Sequence, residues 1–138
     1  MNINIRHIEA KDNAAIATII KDALTEFGAN RPGTVFTDPT TDALFELFQK
    51  DGAAYFIAEQ DSTIVGGGGY YPTEGLPEDT CELVKMYLSP AVRGKGLGRT
   101  LIEKSMAAAK EYGYKRMYLE SMPELKQALN TYAKFGFD

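Results

Sequence analysis

The residues of this chain best suited to chemistry are Arg93-Gly94-Lys95-Gly96-Leu97-Gly98-Arg99. An apolar run ending at Leu88 leads into them through Ser89-Pro90, and a strongly periodic segment follows. A glycine-rich turn is therefore expected between a strand and the first turn of a helix. That first turn leaves main-chain N–H groups without intrahelical partners, and the helix dipole favours negative charge beside them. Glycines let such a backbone come close to a phosphate, and Arg93, Lys95 and Arg99 add cations. The arrangement suits a phosphate-bearing ligand. A Walker A loop needs Ser or Thr after Gly-Lys, and here Gly96 follows Lys95. A dinucleotide fingerprint needs a glycine where this chain has Arg99. What remains is Arg93-x-x-Gly96-x-Gly98, a pattern that a glycine turn without any ligand can also carry.

The elements that must position this loop follow from periodicity. Ile3, Ile5 and Ile8 mark a strand near 2–8. Asp12 or Asn13 can cap a helix carrying Ile16, Ile19, Ile20, Ala23, Leu24 and Phe27, with Gly28 as its stop. After a loop over 28–37, Asp38-Pro39 opens a helix with Leu44, Leu47 and Phe48 on one side. A hairpin follows, Ala54 to Glu59 and Thr63 to Tyr71 around Asp61-Ser62. Its second arm holds Gly66 to Gly69, which fits either a closely approaching backbone or a twisted, bulged arm. Pro72 to Asp79 is an acidic loop, and Thr80 to Leu88 is the strand before the glycine turn. Leu101, Ile102, Met106, Ala109 and Tyr112 stripe the next helix, which Gly113 ends. Arg116 to Glu120 is a last strand, and Pro123 opens a last helix through Leu125, Ala128, Leu129 and Tyr132. The order β-α-α-β-β-β-α-β-α gives a mixed α/β fold: antiparallel early strands, a parallel crossover over 80–120 and helices on both faces.

A length of 138 residues fits one domain with one core, 1–138. A net charge of −4 argues against a nucleic-acid binder, though not against a local basic site. One cysteine, Cys81, and one histidine, His7, build neither a disulfide framework nor a metal cluster. A free thiol suits a reducing, cytoplasmic setting. No apolar run reaches membrane-spanning length, and the alternating start with Arg6 and His7 is not a signal peptide.

This element order resembles that of the GNAT acetyltransferases, which bind acetyl-coenzyme A. Residues 81–101 are similar to that family's fourth strand, phosphate loop and third helix. Residues 132–137, Tyr-Ala-Lys-Phe-Gly-Phe, are similar to its late aromatic motif. The resemblance implies an N-acetyltransferase that moves an acetyl group from acetyl-CoA to a primary amine, on a small molecule or a peptide, by direct attack in a ternary complex. It implies a gap beside the strand before the loop, where the main chain of Met86, Tyr87 and Leu88 would pair with the pantetheine arm. An N–H near Leu88 would face the thioester oxygen. Arg93, Gly94, Lys95, Gly96, Leu97, Gly98 and Arg99 would surround the pyrophosphate.

Two catalytic residues follow by position. Glu82 stands where some members place a glutamate base, and strand alternation groups it with Val84, Met86 and Leu88. A carboxylate among apolar neighbours is the stronger base; a solvated strand-end glutamate paired with Lys85 or Arg116 is the plainer reading. Tyr132 matches the tyrosine whose hydroxyl faces the coenzyme sulfur, though its place on an apolar stripe also suits the core. His7 reads as structural. Cys81 has no evident activator for a covalent route, and Lys126 and Lys134 suit either coenzyme phosphates or a solvated helix face. The family's asparagine before the tyrosine is Leu125 here, so that contact is not carried over. Members usually continue with a strand beyond the equivalent of Asp138. Its absence implies a longer natural chain or a partner subunit, such as a second copy, on that edge.

The acceptor pocket is expected between the first two helices and the hairpin, with Phe27, Asn30, Arg31, Phe36, Tyr70 and Tyr71 lining it. Arg31 would suit a substrate carboxylate, and Glu74, Glu78 and Asp79 a polyamine or cationic peptide. A non-catalytic acyl-CoA sensor on the same fold is the alternative function.

Overall fold

A computed structural model describes residues 3–26, 39–94 and 96–119. Five strands form one sheet in the order of the chain: β1 (Ile3–His7), β2 (Ala54–Gln60), β3 (Thr63–Tyr71), β4 (Thr80–Leu88) and β5 (Arg116–Leu119). β1 to β4 pair antiparallel, and β4 pairs parallel with β5. Alternation along β2 shows how the sheet divides its core. Tyr55 and Ile57 pack against helix α1 (Asn13–Glu26), through Ile16, Ile20 and Leu24. Phe56 and Ala58 pack on the other face, against Leu97 and Leu101 of helix α3 (Leu97–Tyr112). The mixed sheet with helices on both faces is thus present among the described residues; the last helix expected from sequence lies outside them.

Three local expectations change. The helix expected after Asp38-Pro39 divides into a 3-10 turn, Pro39–Asp42, and a single helical turn, α2 (Leu44–Leu47). Ala43 breaks the path with φ −137° and ψ 46°. Asn13 then caps the new turn, its Oδ1 accepting from the Phe45 N–H at 2.8 Å. Tyr112 leaves the buried stripe of α3 and is 51% exposed. Its ring stacks on Tyr114 and its hydroxyl donates to Asp51 at 3.0 Å. Tyr70 and Tyr71 point to opposite faces, as neighbours in a strand must: Tyr70 lies under α3 beside Tyr114, and only Tyr71 faces α1.

The hairpin between β2 and β3 closes as expected on Asp61-Ser62, with φ of 51° and 71°. Two successive left-handed residues are what a two-residue type I′ hairpin requires, and glycine is favoured at the second. Ser62→Gly is therefore expected to stabilise the fold by about 0.5–1 kcal/mol. A rise in the urea midpoint at constant slope checks this; a fall would show that serine is not strained there.

Candidate active site

The strand that leads to the glycine loop is not regular. Gly67 faces Tyr87 and Gly69 faces Val84, so Lys85 and Met86 of β4 together oppose the single residue Gly68. This is a β-bulge, and Lys85 takes φ 56° to make it. The extra residue reverses the parity of everything beyond it. Glu82, cross-strand neighbour of Tyr71, and Val84 lie on the α1 face, whereas Met86 and Leu88 pack beneath α3. The shared parity of Glu82 with Met86 and Leu88 expected from alternation is thus corrected by one inserted residue. The glycines of β3 supply the room. A Cβ on Gly68 would come within 2.8 Å of the Met86 side chain, and one on Gly66 within 2.6 Å of Leu88. Close approach and a bulged arm, posed as alternatives from sequence, both occur: β3 carries its own extra residue, Val65, between Gly66 facing Ala58 and Ile64 facing Glu59.

At its far end β4 delivers its last residues to the loop. The Ser89 N–H donates to the Val65 carbonyl at 2.8 Å, which makes Gly66 and Leu88 a non-hydrogen-bonded pair. The main-chain groups of Leu88 therefore point away from β3. Its carbonyl accepts from Arg93 Nε at 3.1 Å and Nη2 at 3.0 Å, and Arg93 Nη1 pairs with Glu26 at 2.6 Å. Arg93 thus ties the strand end to the end of α1. The pairing of β4 with β5 runs from Thr80 to Leu83. β5 is described to Leu119, so any gap between the two strands beyond that point falls outside the described residues.

The loop hangs between two anchors, Val92 and Leu97, which are 1% and 6% exposed. Gly94 and Gly96 between them take φ of 76° and 84°, conformations an L side chain resists. A Cβ on either would meet nothing within 4 Å among the described residues, so none of them covers the main chain there. Gly96 is the N-cap of α3, and its carbonyl accepts the first helical bond, from the Thr100 N–H. The N–H groups of Leu97 and Gly98 precede that bond and lie in the positive end of the helix dipole. Gly98 sits against Leu88, where a Cβ would lie 3.4 Å from the Leu88 side chain. The arrangement fits a diphosphate: the exposed glycines Gly94 and Gly96, with none of the described residues over them, and Arg99 exposed in the first turn. The side chain of Lys95 lies outside the described residues.

Glu82 is half-buried, and its Oε1 accepts from Thr73 Oγ1 at 2.5 Å. It stands in a row across three strands, Tyr71, Glu82 and Tyr118, and Tyr118 is 37% exposed. Met117 is buried under α3, so Tyr118 turns to the face that carries Glu82. Sequence reasoning missed Tyr118, although its odd-even relation to Met117 signals it. Burial pushes the Tyr87 phenol up to about 12. Burial likewise pushes the Cys81 thiol up to about 11, where it is a poor nucleophile. A cavity of about 480 Å³ opens at the other end of the sheet, between the end of β1 and the start of β2, away from the glycine loop. Tyr132, Lys126, Lys134 and the acceptor-loop residues Phe27, Asn30, Arg31 and Phe36 lie outside the described residues. No helix among the described residues is long and apolar enough to cross a membrane.

A model of the acetyltransferase (GNAT) family matches residues 16–137. The uncharacterised N-acetyltransferase YjgM of Escherichia coli K12 is 41% identical over 135 residues, spanning 97% of this chain and 81% of the relative. The crystal structure of an acetyltransferase of the GNAT family from Staphylococcus aureus Mu50 matches with a TM-score of 0.84 at 20% identity, covering 96% of this chain and 81% of that one. The structure of yncA from Salmonella typhimurium, solved with its cofactor acetyl-CoA, matches at 0.79 with 24% identity, covering 99% and 79%. At these identities the two structures speak for the fold.

Proposed function

The chain belongs to the GNAT acetyltransferase family and is an acyltransferase, and from that premise we propose that it transfers an acetyl group from acetyl-CoA to a primary amine by direct attack in a ternary complex. The observation that supports this most directly is the loop: two left-handed glycines that no other described residue covers, held between buried Val92 and Leu97 at the start of α3. In this reading the main chain from Gly94 to Arg99, with Lys95, binds the diphosphate. Arg93 holds the loop in place through Leu88 and Glu26 and adds positive charge beside it. The edge of β4 takes the pantetheine arm through main-chain groups that point away from β3, those of Leu88 foremost; the main-chain groups of Tyr87 point toward Gly67, which corrects the pairing expected of them.

Acetyl-CoA supplies the activated acyl group. The chain's own groups supply the rest. The Leu88 N–H, on the same strand edge as its carbonyl, donates where negative charge develops on the acyl oxygen. Glu82 takes the proton that the attacking amine must lose, directly or through water. Tyr71 and Tyr118 flank that carboxylate and offer aromatic surface to an ammonium group before it is deprotonated. Tyr132 is assigned to protonate the leaving sulfur. One-site heat of association with acetyl-CoA, together with release of free thiol in the presence of a primary amine, is the expected result. Binding without thiol release across a broad amine panel would make the chain an acyl-CoA sensor instead, and no binding at all would remove the reading.

A further inference from the structure

Tyr55 stands on β2, two strands from β4, and is 1% exposed. Its ring crosses β3 over Gly67, where a Cβ would come within 2.6 Å of Tyr55 Cε2 and 2.8 Å of its hydroxyl oxygen. Beyond the glycine, the hydroxyl donates to the Lys85 carbonyl at 2.6 Å. A phenylalanine would fill the same core against Ile57 and Phe48. What the tyrosine adds is a bond to the one residue of β4 that makes the bulge. Lysine at φ 56° is a conformation that persists only where its surroundings impose it. If Lys85 relaxed into regular strand, every residue beyond it would change face, and Met86 and Leu88 would turn from beneath α3. Leu88 is foremost in the edge assigned above to the pantetheine arm.

We propose that Tyr55 is a positioning residue for acyl transfer: by holding the Lys85 carbonyl across Gly67, it sets the bulge that presents the edge of β4 at Leu88 to the coenzyme arm. This rests on the acetyl-CoA reading. It adds a role for Gly67, which is to leave the path of the ring open.

The test compares two ligands by calorimetric titration: acetyl-CoA, and phosphoadenosine diphosphate, the nucleotide part of the coenzyme that carries the diphosphate but no pantetheine. Tyr55→Phe should bind acetyl-CoA about tenfold more weakly, the scale of one lost hydrogen bond to a part-buried carbonyl. It should bind the nucleotide part as the wild type does, because the loop is untouched. Gly67→Ala, which displaces the ring and keeps the hydroxyl, should show the same split, and either variant suffices if the other does not fold. Equal affinity of a folded variant and the wild type for acetyl-CoA would overturn the proposal. So would equal weakening toward both ligands, the mark of general loosening. The wild-type titration reports separately on the acetyl-CoA reading: if the wild type binds neither ligand, that reading falls and this inference with it.

Discussion

Glu82→Gln is expected to lower turnover about 10²–10³-fold while leaving acetyl-CoA affinity within about twofold, the pattern of a lost proton acceptor rather than a lost binding contact. Glutamine has the shape of glutamate, and its Oε1 can still accept from Thr73 Oγ1. It cannot take a proton from an amine. Steady-state thiol release at saturating acetyl-CoA, beside calorimetric titration with acetyl-CoA, reads both effects. A variant with wild-type turnover would move the base to another group, and one with weakened acetyl-CoA affinity would make Glu82 a binding residue.

Two signals made the frame legible in the sequence: apolar periodicity for the helices, and turn chemistry for the hairpin at Asp61-Ser62. Both act over a few residues, so β3 and β4 fall where alternation and flanking turns place them. The glycine loop was legible for a similar reason, since left-handed turns at Gly94 and Gly96 need the residue that resists them least. The bulge at Lys85 was not. Nothing about a lysine between Val84 and Met86 announces a left-handed residue, because the conformation is imposed from two strands away by Tyr55 and admitted by Gly67 and Gly68. Yet the bulge decides which face carries the carboxylate and which carries the strand end. The guanidinium of Arg93 shows the same limit. Spacing reads it as a cation for an anion, whereas contacts with Leu88, 5 residues before it, and Glu26, 67 residues before it, give it a framework role as well.

The largest loss of stability is expected from a residue far from the loop in sequence. Asp12 is 1% exposed and holds Arg6 through two hydrogen bonds, Oδ2 to Nη1 at 2.7 Å and Oδ1 to Nη2 at 2.9 Å. Its Oδ2 also accepts from the Glu9 N–H at 2.7 Å and closes the turn before α1. Asp12→Ala should destabilise the fold by about 3 kcal/mol, the lower end for a broken buried pair, because Arg6 keeps 20% of its side chain in water and retains Glu59. Burial alone would push the Asp12 carboxyl up. The Arg6 guanidinium and the Glu9 amide outweigh it and hold the group below the usual carboxylate range. A depressed folded-state value means that the stabilisation is complete above the unfolded value, near 4, and is lost as pH falls through the folded one. Urea denaturation at pH 7 and pH 3 should therefore show wild type and variant drawing together in acid. Because α1 begins at this turn and ends at Glu26, which holds Arg93, partial unfolding of the turn should also slacken the loop. In the variant, acetyl-CoA should then raise the melting temperature less than it does in the wild type. An unchanged urea midpoint at pH 7 would show that the Arg6–Asp12 pair contributes no net stability.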